Sequence, residues 1–302
     1  MKNRLIKLVL LVAASAGSAS CLGDMDIIQK SKITTSNMWI DEGDAKGALY
    51  GMYHQFRATF QTAMIYWGDY RAGTFTNGAG GSGSADKMFN NALDSSETKG
   101  TNWGSSYTTI NNANLILRHV PEIPFSDENL KNLILANAHF VRAYTYYNIA
   151  RVWGDAPVIL TPTESTGREI YPSRSPRAEV YAQVAQDIES ALTHITSNAK
   201  GCYYATVDNI NMLKADFALW MYAAQKGGDS YLTMAGEALD AVTRTPLLGK
   251  FADVFDVKNK ANKEIAFALH VDATNEVHSA SYIQRFIWGS TQVKASYRNV
   301  EG

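Results

Sequence analysis

The residue whose surroundings most clearly indicate chemistry is Cys21. It follows a basic segment, an apolar run at residues 8–14 and small residues that end in Ser18-Ala19-Ser20. That order is typical of a secretory signal, and the apolar run is shorter than the roughly 20 residues that span a bilayer. A cysteine directly after small residues resembles a bacterial lipobox, in which the thiol is acylated after cleavage. We therefore predict a lipoprotein signal peptide over residues 1–20 and lipidation of Cys21.

An alternative remains open at this cysteine. Ser18 stands where a lipobox usually has an aliphatic residue, and an ordinary signal peptide cut near Cys21 would leave a free or paired thiol. The other cysteine, Cys202, is expected to be a small buried hydrophobe. Charged or polar residues interrupt every apolar run after Ala19. The chain is thus expected to be anchored to a membrane rather than to cross it.

Aromatic residues are the second feature that indicates chemistry. The chain holds 16 tyrosines, 11 phenylalanines and 6 tryptophans, and some of them border a Gly/Ser/Asn/Asp-rich segment from Gly68 to Lys99. Flat rings with polar edges stack on sugar faces or hold a peptide. The predicted ligand contacts at this segment are Trp67, Tyr70, Phe75 and Asn77. The alternative is that Trp67 ends a buried helix and that only Phe75 is exposed.

Two short segments match motifs for nucleotide binding and acyl transfer, but the structural elements or companion motifs that these functions need are missing from the sequence around them. Residues 78–83 match the dinucleotide-binding fingerprint, but no apolar strand precedes them and no clear helix opens at the last glycine. Residues 96–99 fit the Ser-x-x-Lys pattern of penicillin-binding enzymes, yet neither Ser-Asp-Asn nor Lys-Thr-Gly occurs in the chain. We interpret both as loop segments and predict no cofactor.

Residues for metal or hydrolytic chemistry are sparse. The 6 histidines include no pair at the spacing that places two imidazoles on one helix face, so no metal site is predicted. Asp41 and Asp44 could serve a glycosidase if their carboxyl groups stood about 5 to 9 Å apart. We predict no catalytic residues, and a glycosidase built from helical hairpins is kept as the enzyme alternative.

The charge balance excludes nucleic acid as a main partner. Lys and Arg number 28 against 29 Asp and Glu, for a formal net charge of -1. No excess positive field is available to neutralise a phosphate backbone. A hydrophobic content of 46% fits a soluble globular protein better than a disordered or fibrous one.

The elements that must position these residues are predicted to be helices. Apolar residues return every three or four positions from Ser31 to Arg244. Helices are predicted at 44–67, 103–120, 126–153, 175–195, 208–225 and 231–243. Ser126 and Ser175 are the expected N-caps of the third and fourth helices, and Gly154 ends the third. After Pro246, residues 251–255 and 264–271 are expected to be short and extended.

Pairing of these helices predicts the fold class. The Gly227-Gly228 connector is so short that the last two helices should form an antiparallel hairpin. Repeated hairpins predict a mainly α fold of irregular tetratricopeptide-like repeats. Arg142 lies on an otherwise apolar stripe of the third helix, so its guanidinium is expected to hold carbonyl groups or an acid at a helix crossing.

The third helix carries a recognisable signature. Residues 137–158 read NAHFVRAYTYYNIARVWGDAPV and resemble the Arg-Ala-aromatic helix, ended by an aromatic-Gly-x-x-Pro turn, of SusD/RagB nutrient-binding lipoproteins. Similar segments follow the family's order around it: the lipid-type cysteine, WGSSYTTINNAN at 103–114, RAEVY at 177–181, PLLGKFADVF at 246–255 and EIAF at 264–267.

The resemblance implies a function without catalysis. It implies a lipoprotein of the Gram-negative outer membrane that faces outside and is partnered with a TonB-dependent transporter of the SusC type. Oligosaccharide capture for import is the leading hypothesis, and peptide capture or a scaffold lipoprotein without a nutrient ligand are the alternatives. Because family members are usually much longer, residues 21–302 are expected to be a SusD-like N-terminal helical-repeat domain that is incomplete at its C-terminus.

Overall fold

The structure is a computed structural model and describes residues 38–73, 86–96, 100–164, 171–195, 201–243 and 247–270. The chain divides into two compact units, Met1–Ile40 and Asp41–Gly302. All helices named below lie in the second unit. The predicted signal peptide and Cys21 lie outside the described residues.

Helices make up the regular structure of the described residues. They are α1 (Glu42–Trp67), α2 (Asp86–Phe89), α3 (Gly104–His119), α4 (Glu128–Trp153), α5 (Arg177–His194), α6 (Val207–Ala223) and α7 (Asp229–Asp240). Short 3-10 helices lie at Asp69–Arg71, Val120–Glu122, Gly201–Tyr203, Phe251–Phe255 and Val257–Asn259. The predicted mainly α fold is confirmed. None of the described helices combines the length and hydrophobicity needed to cross a membrane.

Helix α4 forms the centre of the core. Most of its residues from Leu133 to Ala150 are buried, including Tyr146 and Tyr147. A helix that is apolar on nearly all sides must be covered by neighbours, and α4 packs against α3 and α5 and also meets α1. Helices α6 and α7 pack closely on each other, as the Gly227-Gly228 connector predicts.

Three sequence expectations about local structure are wrong. Asp127 rather than Ser126 caps α4, because the Ser126 hydroxyl donates to Glu42 Oε2 on α1. Pro176 rather than Ser175 is the N-cap of α5, because the Ser175 backbone exchanges two hydrogen bonds with Ala156. Residues 251–255 form a 3-10 helix instead of an extended segment.

The expectation for Arg142 is confirmed. Its Nε and Nη2 donate to the two carboxylate oxygens of Asp187 on α5, at 2.9 and 2.6 Å, and Nη1 donates to Asn114 Oδ1 on α3 at 2.8 Å. Burial by itself would raise the pKa of Asp187, but hydrogen bonds with His139 and Arg142 outweigh it and lower the pKa. Charge-assisted hydrogen bonds thus join α3, α4 and α5 inside the core.

Candidate functional site

A groove lies where the C-terminal ends of α1 and α4 meet α6. We call it the arginine–tryptophan groove, and its cavity volume is about 240 Å³. It is lined by Met64, Trp67, Gly68, Arg71, Asn148, Arg151, Val152 and Trp220. Because pockets for drug-sized ligands start at roughly 300 Å³, this space suits a single ring, such as one sugar unit, rather than a long ligand.

Two indole rings line the groove, and their N–H groups are already bonded. Trp67 ends α1, and its Nε1 donates to the Gly100 carbonyl oxygen at 2.7 Å. Nε1 of Trp220 donates to the Tyr181 hydroxyl oxygen at 2.8 Å. Both tryptophans are half-buried. Each therefore offers a ligand its ring surface rather than a hydrogen bond.

Arg151 is held in the groove by aromatic rings. Its guanidinium carbon lies 4.6 Å from the Trp220 ring centroid and 5.0 Å from that of Tyr147. Asp216 Oδ2 is 3.9 Å from Nη1, which is longer than a hydrogen bond. Among the described residues, the Arg151 guanidinium donates no hydrogen bond. Cation–π contacts therefore orient the group while its N–H donors stay available to a ligand.

Arg71 is oriented by a reciprocal contact with Asn91. Its Nε donates to Asn91 Oδ1 at 2.9 Å, and Asn91 Nδ2 donates back to the Arg71 carbonyl oxygen at 3.2 Å. Within the described part of the chain, the two terminal nitrogens of the guanidinium make no hydrogen bond. The groove thus holds a second positioned cation whose outer donors are available.

Of the four predicted ligand contacts, two are described, and one of these, Trp67, lines the groove. Trp67 lines the groove, and it also ends a largely packed helix, with its ring against Phe60 and Trp153 at 6.0 and 5.3 Å. Tyr70 is half-buried against the Tyr66 ring at 5.2 Å and does not line the cavity. Phe75 and Asn77 lie outside the described residues.

Sequence reasoning missed the two arginines and Trp220. Arg151 follows Tyr147 by four residues on a helix, and that spacing predicts that a cation can lie over the ring. Trp220 belongs to another helix, so no local pattern predicts its stacking on Arg151. Arg71 had no signal apart from its place directly after Tyr70.

A larger cavity, which we call the tyrosine pocket, measures about 730 Å³. It is lined by Tyr50, Gly51, Tyr53, His54, Arg57, Tyr203, Tyr204, Leu269 and His270. Several of its polar groups bond within the protein. The Tyr53 hydroxyl donates to Asn137 and accepts from the Ala205 N–H, and burial raises the pKa of Tyr53. Arg57 Nη1 donates to the His270 carbonyl oxygen at 2.7 Å, a contact that joins residue 270 to α1.

The acidic pair considered for hydrolysis has a structural role. Asp41 Oδ1 accepts the N–H groups of Gly43 and Asp44, and Asp44 Oδ2 accepts the Asp41 N–H, which forms a capping box at the start of α1. The described residues hold no group of three or more His, Cys, Asp or Glu side chains that could bind a metal ion.

The family model and the curated relatives that match this chain are all SusD-like. Residues 28–208 match the model of a SusD-like family described as "Starch-binding associating with outer membrane". SusD-like protein P38 of Formosa agariphila is 29% identical over 197 residues, which are 65% of this chain and 38% of that protein.

Solved structures share the fold. NanU of B. fragilis superposes with a TM-score of 0.71 at 27% identity, covering 82% of this chain and 51% of that one. A SusD superfamily protein of Bacteroides fragilis has a TM-score of 0.71 at 25% identity, with 79% of this chain and 51% of that chain covered. This chain therefore spans about half the length of these solved structures.

Proposed function

Because the chain belongs to the SusD-like family of starch-binding proteins associated with the outer membrane, we propose that it is a lipid-anchored binding protein that captures oligosaccharide. Proteins of this family are binding proteins rather than enzymes. The captured sugar would be passed to a partner TonB-dependent transporter of the SusC type for import. Oligosaccharide capture is a binding step, and it needs a surface that holds a sugar without reacting with it.

The arginine–tryptophan groove is the observation that carries this proposal. Sugars present a flat apolar face and a rim of hydroxyl groups, so they bind where aromatic surface and hydrogen-bonding groups meet. The rings of Trp67 and Trp220 supply the aromatic surface. Asn148 and the two arginines supply the hydrogen-bonding groups. The tyrosine pocket is larger, but several of its polar groups already bond within the protein.

We extend the proposed site to the segment that follows α1. Of the four predicted contacts, Trp67 lines the groove, and Tyr70 lies directly before Arg71. Phe75 and Asn77 follow within a few residues of Arg71 in the sequence. All four are proposed to contact the ligand.

The anchor and the location are part of the same proposal. Acylated Cys21 would hold the protein to the outer membrane, facing outside. The family description, which names association with the outer membrane, supports this location. The basic, apolar and small residues before Cys21 support the acylation.

The test is a glycan array probed with the full chain, followed by calorimetric titration of the bound glycans. Trp67→Leu and Trp220→Leu should each weaken affinity by about ten-fold, because each loses the ring surface on which a sugar stacks. The matched control is Tyr50→Leu, which removes a 58% exposed ring from the tyrosine pocket and should leave affinity unchanged. Circular dichroism melting shows whether each variant is folded.

Other outcomes favour the alternatives. Binding on a peptide array with no bound glycan would favour peptide capture. No ligand on either array, together with no transporter in a pull-down, would favour a scaffold lipoprotein. Loss of sugar binding in Tyr50→Leu but in neither tryptophan variant would move the site to the tyrosine pocket.

A further inference from the structure

The arginine–tryptophan groove has an unusual balance of charge for a sugar site. Among the described residues, its lining includes two arginines and no aspartate or glutamate. The acidic residue nearest to Arg151, Asp216, has a 63% exposed side chain and approaches no closer than 3.9 Å. An exposed carboxylate at that distance is screened by water and neutralises the guanidinium weakly.

The hydrogen-bonding side chains of the groove include more donors than acceptors. Arg71 and Arg151 are donors only, and the indole N–H groups are already bonded to Gly100 and Tyr181. Asn148 donates its Nδ2 to the Tyr144 carbonyl oxygen at 2.8 Å. Within the part of the lining that the structure describes, its Oδ1 is then the one side-chain oxygen or nitrogen acceptor. The groove is therefore rich in donors and poor in acceptors.

A neutral sugar fits such a lining poorly. Each sugar hydroxyl donates as well as accepts, so a site for neutral sugars needs carboxylate or amide oxygens near its donors. A carboxylate or sulfate only accepts hydrogen bonds. It also forms charge-assisted, frequently bidentate bonds with guanidinium groups, which are stronger than bonds to neutral oxygens.

Both guanidinium groups are held in place before any ligand binds. Arg151 lies over the rings of Tyr147 and Trp220, and Arg71 is held by Asn91. A positioned arginine loses less conformational entropy on binding than a mobile one. The aromatic faces beside the arginines would at the same time cover the apolar face of the sugar ring.

We propose that the groove selects an acidic sugar unit, one that bears a carboxylate or a sulfate group, and that Arg71 and Arg151 bind that anion. This inference rests on the proposed capture of oligosaccharide and specifies its substrate class. Trp67 and Trp220 hold the ring of the sugar, while the two arginines distinguish an acidic sugar from a neutral one.

The experiment uses an array that presents oligogalacturonides, sulfated carrageenan oligosaccharides, maltooligosaccharides and laminarin oligosaccharides to the full chain. We expect the bound glycans to be acidic, and the array shows whether the carboxylate or the sulfate is preferred. For the bound glycan, the matched probe is its carboxyl-reduced or desulfated form, whose affinity should be at least about ten-fold lower. Affinity for the acidic form should fall as salt rises.

The variants Arg71→Gln and Arg151→Gln assign the effect to the groove. Each should weaken binding of the acidic glycan by about ten-fold and leave binding of its neutral form unchanged. Arg118→Gln removes an exposed arginine of α3 that pairs with Glu122, so it controls for the change in net charge and should have no effect.

Failure of this inference is distinct from failure of the proposed function. Tight binding of maltooligosaccharides, or equal affinity for an acidic glycan and its neutral form, would overturn the acidic class and leave oligosaccharide capture standing. Acidic binding that survives both groove variants would overturn the role of the groove. No binding to any glycan would overturn both.

Discussion

At the scale of single residues, Arg142 and Asp187 form a buried ion pair in the core. Their side chains are 8% and 1% exposed, so both charges are almost fully removed from water. The paired hydrogen bonds offset the cost of burying these charges. Removing one partner would leave the other charged and buried, which costs about 3–5 kcal/mol.

We expect Asp187→Asn to lower the free energy of unfolding by about 3 kcal/mol or more, measured by urea denaturation. The control on the same helix is Glu189→Gln, which removes the 58% exposed partner of Lys214 and should cost about 1 kcal/mol at most. Equal losses in the two variants would show that the buried pair adds nothing beyond a surface contact.

A second prediction compares the acid dependence of stability in the wild type and in Asp187→Asn. The pKa of Asp187 is lower in the folded state than in the unfolded chain, so the unfolded chain takes up the proton first as pH falls. The stabilisation is complete above the unfolded pKa of about 3.9 and is lost as pH falls through the folded pKa. The wild-type urea midpoint should therefore fall more steeply than that of Asp187→Asn below about pH 4.

Single residues differ in how far the sequence predicts them. Arg142 could be predicted as a clamp because a charge on an apolar stripe must find a partner in the core. Arg151 and Trp220 could not be predicted as a stacked pair, because they come from α4 and α6 and meet only through tertiary packing. Trp67 could be placed at a helix end, but its contact with Trp153 depends on the packing of α1 on α4.

At the scale of elements, the end of α4 depends on the backbone of Gly154. Its φ of 78° and ψ of -114° lie in a region that side chains with a Cβ avoid. The Gly154 N–H still donates to the Ala150 carbonyl oxygen, and Asp155 Oδ1 then accepts the Arg177 N–H at the start of α5. The turn therefore ends one core helix and helps to begin the next.

We expect Gly154→Ala to lower the free energy of unfolding by about 1–3 kcal/mol, in a urea denaturation experiment. A Cβ there would meet nothing within 4 Å, so the cost comes from the backbone conformation and not from a clash. Gly47→Ala is the matched control inside α1, where a Cβ also meets nothing within 4 Å and φ is ordinary. It should raise stability by up to about 1 kcal/mol. Stabilisation by both substitutions would contradict a strained turn at Gly154.

The helices themselves could largely be predicted from the sequence, because their apolar residues recur at helical spacing. The residues at which the helices begin could not be predicted in the same way. Ser126 and Ser175 are good N-cap types, but the Ser126 hydroxyl donates to Glu42, and the Ser175 backbone pairs with that of Ala156. Side-chain type alone predicts a cap only where no tertiary contact engages the same residue.

At the scale of the whole molecule, the proposed site is assembled from distant parts of the chain. Met64, Trp67 and Gly68 come from α1 and its C-cap, Arg151 from α4 and Trp220 from α6. The groove therefore requires the packed helical array. The family resemblance predicted the fold from local motifs, whereas the charge of the groove depends on residues that only the folded chain brings together.

The proposed anchor is tested with the two cysteines of the chain. Cys21→Ala should move the protein from the membrane fraction to the soluble fraction, because the thiol that would carry the acyl chains is lost. Cys202→Ala is the matched control: this cysteine is 1% exposed in the core, so the variant should stay with the membrane. Intact mass of the wild-type protein from outer membranes should correspond to a chain that begins at Cys21 and carries lipid. If the protein remained in the outer membrane after Cys21→Ala, attachment would have to come from a protein partner, and acylation would not be what holds this protein at the cell surface.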